Sequence, residues 1–318
     1  MNNPTPATQP AATESPAACL GFLVTLSALH IGTGEGLGDI DKPVLRDAVT
    51  RHPRIQPAAL KRGLKDLLSS KLESSEHAAL FGAEQGGTGM LGPQDGHLLL
   101  MPVPCWAGGV AWVTSPGVLK QMRRHAAWCG VDMPKPQGID PAKSEASIFS
   151  DVLAIGLDHD ARVVLHDLPL MRKVASPGAN AIAWCKLAKW LVDAAFAKDD
   201  DEWRLHVQER LAIVSDVVFD SLVERSLATP ARNSIKDGLV ENLWREELVP
   251  EDVVFYSVIT AQPLDQHQRF YATAAEALAV LEPCDLQIGG QASLGRGFLR
   301  LNLLRPNAKT QQGHSDVG

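Results

Sequence analysis

The sequence predicts an antiparallel α+β sandwich of the ferredoxin or RNA-recognition-motif kind. Apolar residues make up 45% of the 318 residues, so the chain can bury a sizeable core. A strand–helix–strand pattern occurs near each end of the chain. Neither a regular βαβ series nor a repeat of about 20 to 50 residues is present, and this favours the antiparallel sandwich over a doubly wound parallel fold.

One domain flanked by two short tails is the predicted organisation. Residues 1–17 are rich in Pro, Ala and Thr, and residues 307–318 are polar. Both segments have too little apolar content to order themselves, so we expect them to be flexible. The folded domain should then comprise residues 18–306.

The first half of the domain combines strands and helices with two glycine-rich loops. Its predicted elements are a strand in which Leu20, Phe22, Val24 and Leu26 alternate with smaller neighbours, the loop HIGTGEGLGDID, a helix from about Pro57 to Ser70, the loop FGAEQGGTGMLGPQDG, the strands HLLLMPV and VAWVT, and a helix opened by Ser115-Pro116. The helix from Pro57 carries basic residues near its start.

The second half repeats this alternation after an irregular excursion. Its predicted elements are an excursion over residues 130–143, the strand RVVLH, a helix from Asn180 to Ala197, an acidic solvated turn over 198–202, the strand DVVFYSVIT, a helix opened by a Thr273/Glu276 capping box, the turn IGGQASLGRG and a last strand through Leu299, Leu301 and Leu303.

Composition excludes several classes of protein. No window approaches the roughly 18 consecutive apolar residues of a membrane span, and the N-terminus lacks the basic and apolar regions of a secretion signal. The five cysteines lie far apart without a CxxC pair, which argues against a disulfide framework or a structural zinc site. We therefore expect a cytoplasmic protein with no membrane partner.

The charge is unevenly distributed. The whole chain has a net charge of -7, yet residues 42–65 contain seven basic residues against one acid, Asp47. Residues 286–306 contain three arginines and no acid. Two basic stretches on an acidic protein predict a localised anion-binding surface.

The loop HIGTGEGLGDIDKP places a histidine and two aspartates among glycines. It lacks the GK[ST] of a Walker loop and the GxGxxG spacing. Asp39 or Asp41 could accept the proton of an RNA 2'-hydroxyl or anchor a divalent ion, and the alternative is a turn or cap aspartate. Spacing alone does not choose between these two acids. His30, at the end of an apolar strand, has the alternative reading of a core histidine.

Two further segments carry candidate polar groups. In IGGQASLGRG, Ser293 and Arg296 suit a phosphodiester chain, and the alternative is a glycine-rich hairpin with incidental arginines. Glu246 and Glu247 in LWREELVP would ordinarily be a solvated strand end. None of these patterns identifies a function by itself.

Five segments in the same order resemble one known family. They are LSALHIGTGEGLGDIDKPVLRD, RHPRIQPAALKRGLKD, HLLLMPVPCWAGGVAWVTSPGVL, GLVENLWREELVPEDVVFYSVI and IGGQASLGRG. Together they resemble the backbone subunits of the type III-B CRISPR effector, the Cmr complex, within the repeat-associated mysterious protein superfamily. The resemblance extends from Leu26 to Leu303.

The resemblance implies a fold, partners and an activity. The fold would be a modified RNA-recognition-motif palm with a protruding β-hairpin thumb at about 228–247 and inserted loops. Such subunits stack head to tail with copies of themselves along a CRISPR guide RNA, beside other Cmr subunits. They are endoribonucleases that cut a complementary single-stranded target RNA at regular intervals with an acidic loop.

The resemblance also assigns roles to residues. Asp41 falls on the aspartate of the family's Asp-Leu-Pro stretch and is assigned the cleavage. We also expect Asp41 to contact a divalent metal ion, Mg²⁺. Three residues near that site have weaker claims to catalysis: His30, Glu246 and Glu247. The implied RNA-binding residues are Lys61, Arg62, Lys65, Arg232, Lys236, Ser293 and Arg296.

Three departures from the family pattern leave an alternative open. Residues 56–59 (Gln-Pro-Ala-Ala) replace Pro-Gly-Ser-Ser, Arg62 stands where glycine is usual, and Lys42 follows the acid in place of leucine. These changes permit a structural backbone subunit that binds guide RNA without cutting. A second alternative is an unrelated enzyme that uses the glycine-rich loop for a nucleotide or a phosphorylated metabolite.

Overall fold

The computed structural model describes residues 17–32, 40–83, 86–135, 138–156, 160–173, 179–236, 239–264, 267 and 269–306. For residues 179–180, 235–236 and 239–241 it describes the backbone without the side chains. Asp39 and, apart from Ala17, both predicted tails lie outside the described residues. Within this part of the chain, no helix has the length and apolar character needed to cross a membrane.

Fourteen strands and seven α-helices make up the regular structure of the described residues. The strands are β1 (Ala17–Thr25), β2 (Arg54–Ile55), β3 (Leu91–Pro93), β4 (Gly96–Cys105), β5 (Gly109–Thr114), β6 (Glu145–Ile148), β7 (Arg162–Leu165), β8 (Leu168–Lys173), β9 (Leu211–Val214), β10 (Ala231–Lys236), β11 (Leu239–Arg245), β12 (Val254–Ala261), β13 (Cys284–Gln287) and β14 (Phe298–Leu304). The helices are α1 (Pro57–Leu68), α2 (Ser74–Phe81), α3 (Pro116–Trp128), α4 (Ala179–Ala195), α5 (Asp201–Glu209), α6 (Asp216–Ser226) and α7 (Ala274–Ala279).

The mixed α+β class is confirmed, and β1 lies in the middle of a group of five strands at one end of the sheet. The strands run in the order β13-β14-β1-β12-β4, and each of these neighbouring pairs is antiparallel. All residues from Cys19 to Thr25 are buried, so β1 is covered on both faces. The predicted strand through Leu20, Phe22 and Val24 is present, and the residues between them are buried as well because apolar groups pack against both sides of it. Leu26, predicted as part of this strand, lies just beyond its end.

The sheet continues from β4 into a closed arrangement of six strands. Their order is β4-β5-β9-β6-β8-β7, and the pairing of Cys105 with Leu165 returns β7 to β4. Two of the pairs, β5–β9 and β6–β8, are parallel, which corrects the expectation of a purely antiparallel sheet. Parallel neighbours need a long crossover, and the chain between β5 and β9 is long enough to provide one.

The predicted helices α1, α3, α4 and α7 are present, with small shifts at their ends. Ser115 caps α3, since its hydroxyl accepts a hydrogen bond from the Val118 amide at 3.4 Å. At α7 the Thr273 hydroxyl accepts from the Glu276 amide at 3.1 Å. The Glu276 carboxylate accepts from Ala272 instead of Thr273, so the expected capping box is only half formed.

The acidic run at 198–202 is not simply a solvated turn. The Asp200 carboxylate accepts a hydrogen bond from the Trp203 amide at 2.8 Å and thereby caps α5, a helix that the sequence analysis did not predict. Asp201 and Glu202 occupy the first turn of α5, where acidic side chains interact favourably with the helix dipole. The acids therefore begin a helix as well as ending one.

The strands β10 and β11 form a separate two-stranded antiparallel hairpin. It lies within the segment 228–247 that was predicted as a thumb. Its base joins the rest of the fold through the paired residues Ala228 and Leu248, whose amides and carbonyls exchange hydrogen bonds at 3.0 and 2.8 Å. The end of β11 consequently returns the chain directly to the buried interior.

Candidate functional site

Four side chains predicted to act in catalysis lie around the end of β11. We call them the acidic cluster: His30, Asp41, Glu246 and Glu247. Asp41 Oδ2 accepts a hydrogen bond from the Arg245 amide at 2.8 Å, and Glu246 and Glu247 are the next two residues. His30 Nδ1 lies 3.3 Å from the Glu247 carbonyl oxygen. The fold thus gathers residues that are separated by more than 200 positions in the sequence.

Asp41 is the exposed member of the acidic cluster. Its amide donates to the Arg245 carbonyl at 3.1 Å, so backbone and side chain both attach it to β11. The next residue reinforces this attachment, because the Lys42 carbonyl accepts from the Glu247 amide at 3.0 Å. An exposed carboxylate on a fixed backbone beside a hairpin is suited to contact a bound chain.

Glu246 is buried and surrounded by donors. Its side chain is 1% exposed. Oε1 accepts hydrogen bonds from the Trp244 indole at 2.8 Å and from the side-chain amide of Gln291 at 2.9 Å. Oε2 accepts from the Arg296 guanidinium at 2.7 Å. The cationic groups of Lys42 and Arg232 lie 3.6 and 3.5 Å away, respectively.

These contacts keep Glu246 ionised. Burial alone would raise the pKa of its carboxyl, but hydrogen bonds from Trp244, Arg296 and Gln291, with the charge of Arg232, lower that pKa to about 2. A carboxylate with so low a pKa is a weak base near neutral pH. The Glu246 carboxylate therefore has a structural role: it connects the hairpin to Lys42 and to the loop that carries Gln291 and Arg296.

Glu247 is held by a second set of contacts. Its Oε2 accepts from the Val44 amide at 2.9 Å, and its Oε1 accepts from the Arg46 guanidinium at 2.6 Å. The side chains of Glu247 and Arg46 are only 4% and 9% exposed, respectively. Arg46 also binds both carboxylate oxygens of Glu224 on α6, at 2.6 and 3.2 Å.

His30 is enclosed by glycines. The Gly290 amide donates to the His30 carbonyl at 3.0 Å. A Cβ on Gly289, where φ is +82°, would lie 2.4 Å from the same carbonyl oxygen, and a Cβ on Gly32 would lie 3.0 Å from His30 Nε2. These glycines are needed for close packing around a buried histidine. Residues 33–39 of the glycine-rich loop lie outside the described residues.

The predicted RNA-binding residues near the hairpin differ in accessibility. Ser293 is exposed on a short 3₁₀ helix over Ala292–Leu294. The Arg296 side chain is 15% exposed and hydrogen-bonds Glu246 and Gln291, while that of Arg232 is 31% exposed. Lys236 is at the end of β10, and its side chain is not among those described.

The three basic residues of α1 form a separate group. Lys61 and Lys65 are half-buried, and the Arg62 side chain is 83% exposed and lies 3.6 Å from Asp66. A Cβ on Gly63 would lie 2.6 Å from the Ile288 side chain, so Gly63 is the small residue at which α1 packs on the loop after β13. Arg62 replaces the family's glycine without strain because it faces solvent.

The described residues do not themselves form a metal centre. No group of three His, Cys, Asp or Glu side chains among them is arranged to hold a metal ion. Asp41 would supply one carboxylate, and oxygen ligands suit Mg²⁺, which commonly keeps several waters and binds phosphate oxygens.

Several residues of the site were not singled out individually by sequence analysis. Arg46 entered only as a member of the basic stretch, Lys42 as a departure from the family pattern without an assigned partner, and Gln291 only as part of the glycine-rich turn. Trp244 lies in the LWREELVP segment, where its indole contacts Glu246. The pairing of Lys42, Arg46 and Gln291 with buried glutamates depends on long-range contacts, so no local pattern could reveal it.

The fold and the acidic cluster define a mixed α+β protein of the class indicated by the resemblance, the repeat-associated mysterious protein superfamily. The chain is 31% identical over 293 residues to the CRISPR system Cmr endoribonuclease Cmr4 of Pyrococcus furiosus, a match that covers 88% of this chain and 94% of that protein. The chain belongs to the Cmr4 family. A scan against models of protein families found no match.

Solved structures agree with this assignment. Oligomeric Cmr4 from Pyrococcus furiosus superposes with a TM-score of 0.67 at 27% identity, covering 90% of this chain and 97% of that one. A chain of the type III-B Cmr-beta complex bound to cognate target RNA shares the fold at 18% identity, with a TM-score of 0.65 and coverage of 90% and 96%. A second relative matches by sequence over a shorter stretch. It is the Cms endoribonuclease Csm3 of Mycobacterium tuberculosis, which is 44% identical over 52 residues, or 15% of this chain and 22% of that protein.

Proposed function

We propose that this chain is the backbone subunit of a type III-B Cmr effector, where it binds CRISPR guide RNA and cleaves complementary target RNA. The observation that carries the proposal is Asp41, an exposed carboxylate fixed beside the hairpin. The similarity to a Cmr4 endoribonuclease over 94% of that protein supplies the reaction class.

The strand order supports an RNA-recognition-motif palm within residues 18–306. The strands β14-β1-β12-β4 lie side by side and antiparallel, with α1 between β1 and β4 in sequence and α7 between β12 and β14. This is the βαββαβ arrangement of a ferredoxin-like unit. In the proposal, the β10–β11 hairpin is the thumb, and the closed group of strands after β4 is an insertion.

The proposed cleavage uses distortion of the RNA beside the thumb. If the hairpin displaces a target nucleotide from the guide–target duplex, the 2'-hydroxyl of that nucleotide can align with the adjacent phosphorus. Asp41 then accepts the 2'-hydroxyl proton, or anchors an ion, as the 2'-oxygen bonds to the phosphorus and the bond from phosphorus to the 5'-oxygen of the next nucleotide breaks. The products are a 2',3'-cyclic phosphate and a 5'-hydroxyl, whose oxygen takes a proton from water. Proton acceptance of this kind contributes about 10²- to 10⁴-fold to the rate. His30 and Glu247 support this arrangement from the interior, and Glu246 holds the loops together.

The proposed guide-binding surface has two parts. One is formed by Lys61, Arg62 and Lys65 on α1, and the other by Arg232, Lys236, Ser293 and Arg296 around the hairpin base. Contacts to phosphate position the RNA without reading its sequence. Sequence specificity comes from base pairing between the guide and the target. Since Arg296 is largely buried against Glu246, its contribution to RNA binding would come through the loop that it holds.

Assembly is the third part of the proposal. Copies of the chain stack head to tail on the guide RNA beside the other Cmr subunits. Such a heterologous contact does not close on itself, so the guide and the end subunits must limit the filament length. The presence of oligomers in the structure of a 27% identical Cmr4 supports this expectation.

A non-cleaving backbone subunit is the second candidate. Two departures from the family pattern favour it: the loss of two hydroxyls at residues 56–59 and the lysine that follows Asp41. The Lys42 ammonium lies 5.1 Å from the centre of the Trp244 ring and 3.6 Å from Glu246, so the side chain is directed into the hairpin base. This arrangement leaves the Asp41 carboxylate accessible and supports the cleaving form.

Cleavage by the reconstituted complex tests the proposal. With guide RNA and Mg²⁺, we expect evenly spaced cuts in a labelled target for the native subunit, and a loss of at least about 100-fold for Asp41→Asn with target binding retained. Asp39→Asn, the matched variant of the other loop acid, should cut at the native rate. Tight guide and target binding without spaced cuts by the native complex would instead identify the structural subunit. Cutting that persists in EDTA would remove the metal from the proposal.

A further inference from the structure

The segment that carries Asp41 has little regular structure of its own. Between Ile40 and Pro53 it makes only isolated bridges, which pair Lys42 with Glu246, Val44 with Gly32, and Arg46 with Pro53. Backbone hydrogen bonds hold Asp41 and Lys42 to Arg245 and Glu247, and Leu45 to Ile31. The side chains of Glu247 and Arg46 add further attachments along the segment.

A buried ion pair connects this segment to the end of β11. Glu247 divides its two oxygens between the Val44 amide and the Arg46 guanidinium, at 2.9 and 2.6 Å. One carboxylate thus binds two positions, three and five residues beyond Asp41. On the other side, Asp41 itself binds the Arg245 amide, two residues before Glu247.

Arg46 uses the full fork of its guanidinium. Besides Glu247, it binds both oxygens of Glu224 on α6 and donates to the Arg51 carbonyl at 3.2 Å. Arg51 adopts φ of +64°, a conformation that is uncommon for a residue with a side chain, and its amide donates to the Asp47 carbonyl. The ion pair of Arg46 with Glu247 therefore connects the end of β11, α6 and the turn at Arg51 close to Asp41.

We infer that Arg46 is a positioning residue for RNA cleavage, acting on Asp41 through Glu247 and Val44. The inference rests on the proposed function, since it requires Asp41 to be the cleaving residue. Arg46 itself is 9% exposed and bound to two carboxylates, so it does not reach the RNA. Its role is to keep the Asp41 carboxylate at the place where the 2'-hydroxyl arrives.

Arg46→Lys is the informative variant, because lysine keeps the charge but cannot contact Glu247 and both oxygens of Glu224 at once. In the reconstituted complex we expect single-turnover cleavage at saturating target to slow by about 10- to 100-fold, since small displacements of a reacting group have effects of this size. The dissociation constant for target RNA and the cut positions should stay unchanged. Arg225→Lys, a neighbouring arginine on α6 paired with Asp167, is the matched control and should cut at the native rate.

A double variant separates positioning from general damage. If Arg46 acts through Asp41, then Arg46→Lys combined with Asp41→Asn should cut no more slowly than Asp41→Asn alone. Further slowing in the double variant, native cutting by Arg46→Lys, or weakened target binding in step with the rate would each overturn the inference.

Glu247→Gln keeps the test decisive if Arg46→Lys does not assemble. The amide can still accept from Val44 but loses its charge pairing with Arg46, so we expect the same selective loss of rate. Failure of both variants to assemble would make the ion pair a folding element only and would overturn the inference. Native cutting by Asp41→Asn would show instead that the proposed function is wrong, which is a separate result.

Discussion

At the scale of single residues, two adjacent glutamates have different partners. Glu246 gathers donors from the hairpin and the C-terminal loop, whereas Glu247 attaches the segment after Asp41. Neither is a solvated strand end, the plain reading of two neighbouring acids in the sequence. Alternate residues of an extended chain face opposite sides, so two like side chains here enter two different environments.

The depressed pKa of Glu246 predicts a pH-dependent stability. Because its pKa falls from 4.5 to about 2 on folding, the ionised form is favoured in the folded state. This stability is fully present above about pH 5 and is lost as the pH falls towards 2. We expect Glu246→Gln to lower the free energy of unfolding by about 1–2 kcal/mol at pH 6, and by less at pH 3.5.

Urea unfolding at the two pH values measures this effect. The exposed acid Glu251 provides the control, and Glu251→Gln should change the free energy by less than about 0.5 kcal/mol. If Glu246→Gln lowered the free energy of unfolding equally at pH 6 and pH 3.5, the ionised form of Glu246 would not be what stabilises the fold.

At the scale of elements, α1 shows how a basic helix is placed. Its predicted start at Pro57 is confirmed, and Leu60 and Leu64 are buried as their spacing indicates. A further contact is the close approach of Gly63 to Ile288, in the loop that follows β13. Two residues later in this loop, the Gly290 amide donates to the His30 carbonyl. The loop therefore links α1 to the acidic cluster.

Filling the space at Gly63 should disturb this link. We expect Gly63→Val to lower the free energy of unfolding by about 1–3 kcal/mol, because an added Cβ would lie 2.6 Å from the Ile288 side chain. Ala58→Val, which adds the same kind of side chain at an exposed position of α1, should cost less than about 1 kcal/mol. Thermal unfolding of the two variants makes the comparison, and equal losses would show that the space beside Gly63 accommodates the added side chain.

At the scale of the whole molecule, charge is separated between a basic segment and an acidic remainder. The net charge of -7 opposes general binding of nucleic acid, while residues 42–65 concentrate positive charge. Part of this charge is already used, since Arg46 and Arg54 pair with acids. Lys61 and Lys65, half-buried on α1, are therefore the stronger candidates for direct phosphate contact.

Removing both lysines should weaken guide RNA binding in a salt-dependent way. We expect the Lys61→Ala/Lys65→Ala variant to lose affinity and to reduce the slope of log K against log salt by about 1.4, or about 0.7 for each phosphate contact. The control is Lys120→Ala/Lys189→Ala, which removes the same charge from lysines paired with Asp140 and Asp193. A similar change of slope in both double variants, measured by filter binding, would indicate a net-charge effect without a localised contact.

The α+β class and four of the helices follow from local periodicity and capping residues, which are properties of neighbouring residues. The hairpin segment and the family follow from the resemblance carried by the five ordered motifs. The sequence also selected all four members of the acidic cluster, although through resemblance and without their partners.

How these residues act on one another depends on contacts made in the folded chain. The parallel pairs of β5 with β9 and β6 with β8, the burial of Glu246 and the pairing of Arg46 with Glu247 all join positions far apart in the chain. Such contacts depend on which elements the fold brings together, and the ionisation of Glu246 depends on them in turn. A local pattern cannot specify that environment, because the same two glutamates on an open strand would simply be hydrated.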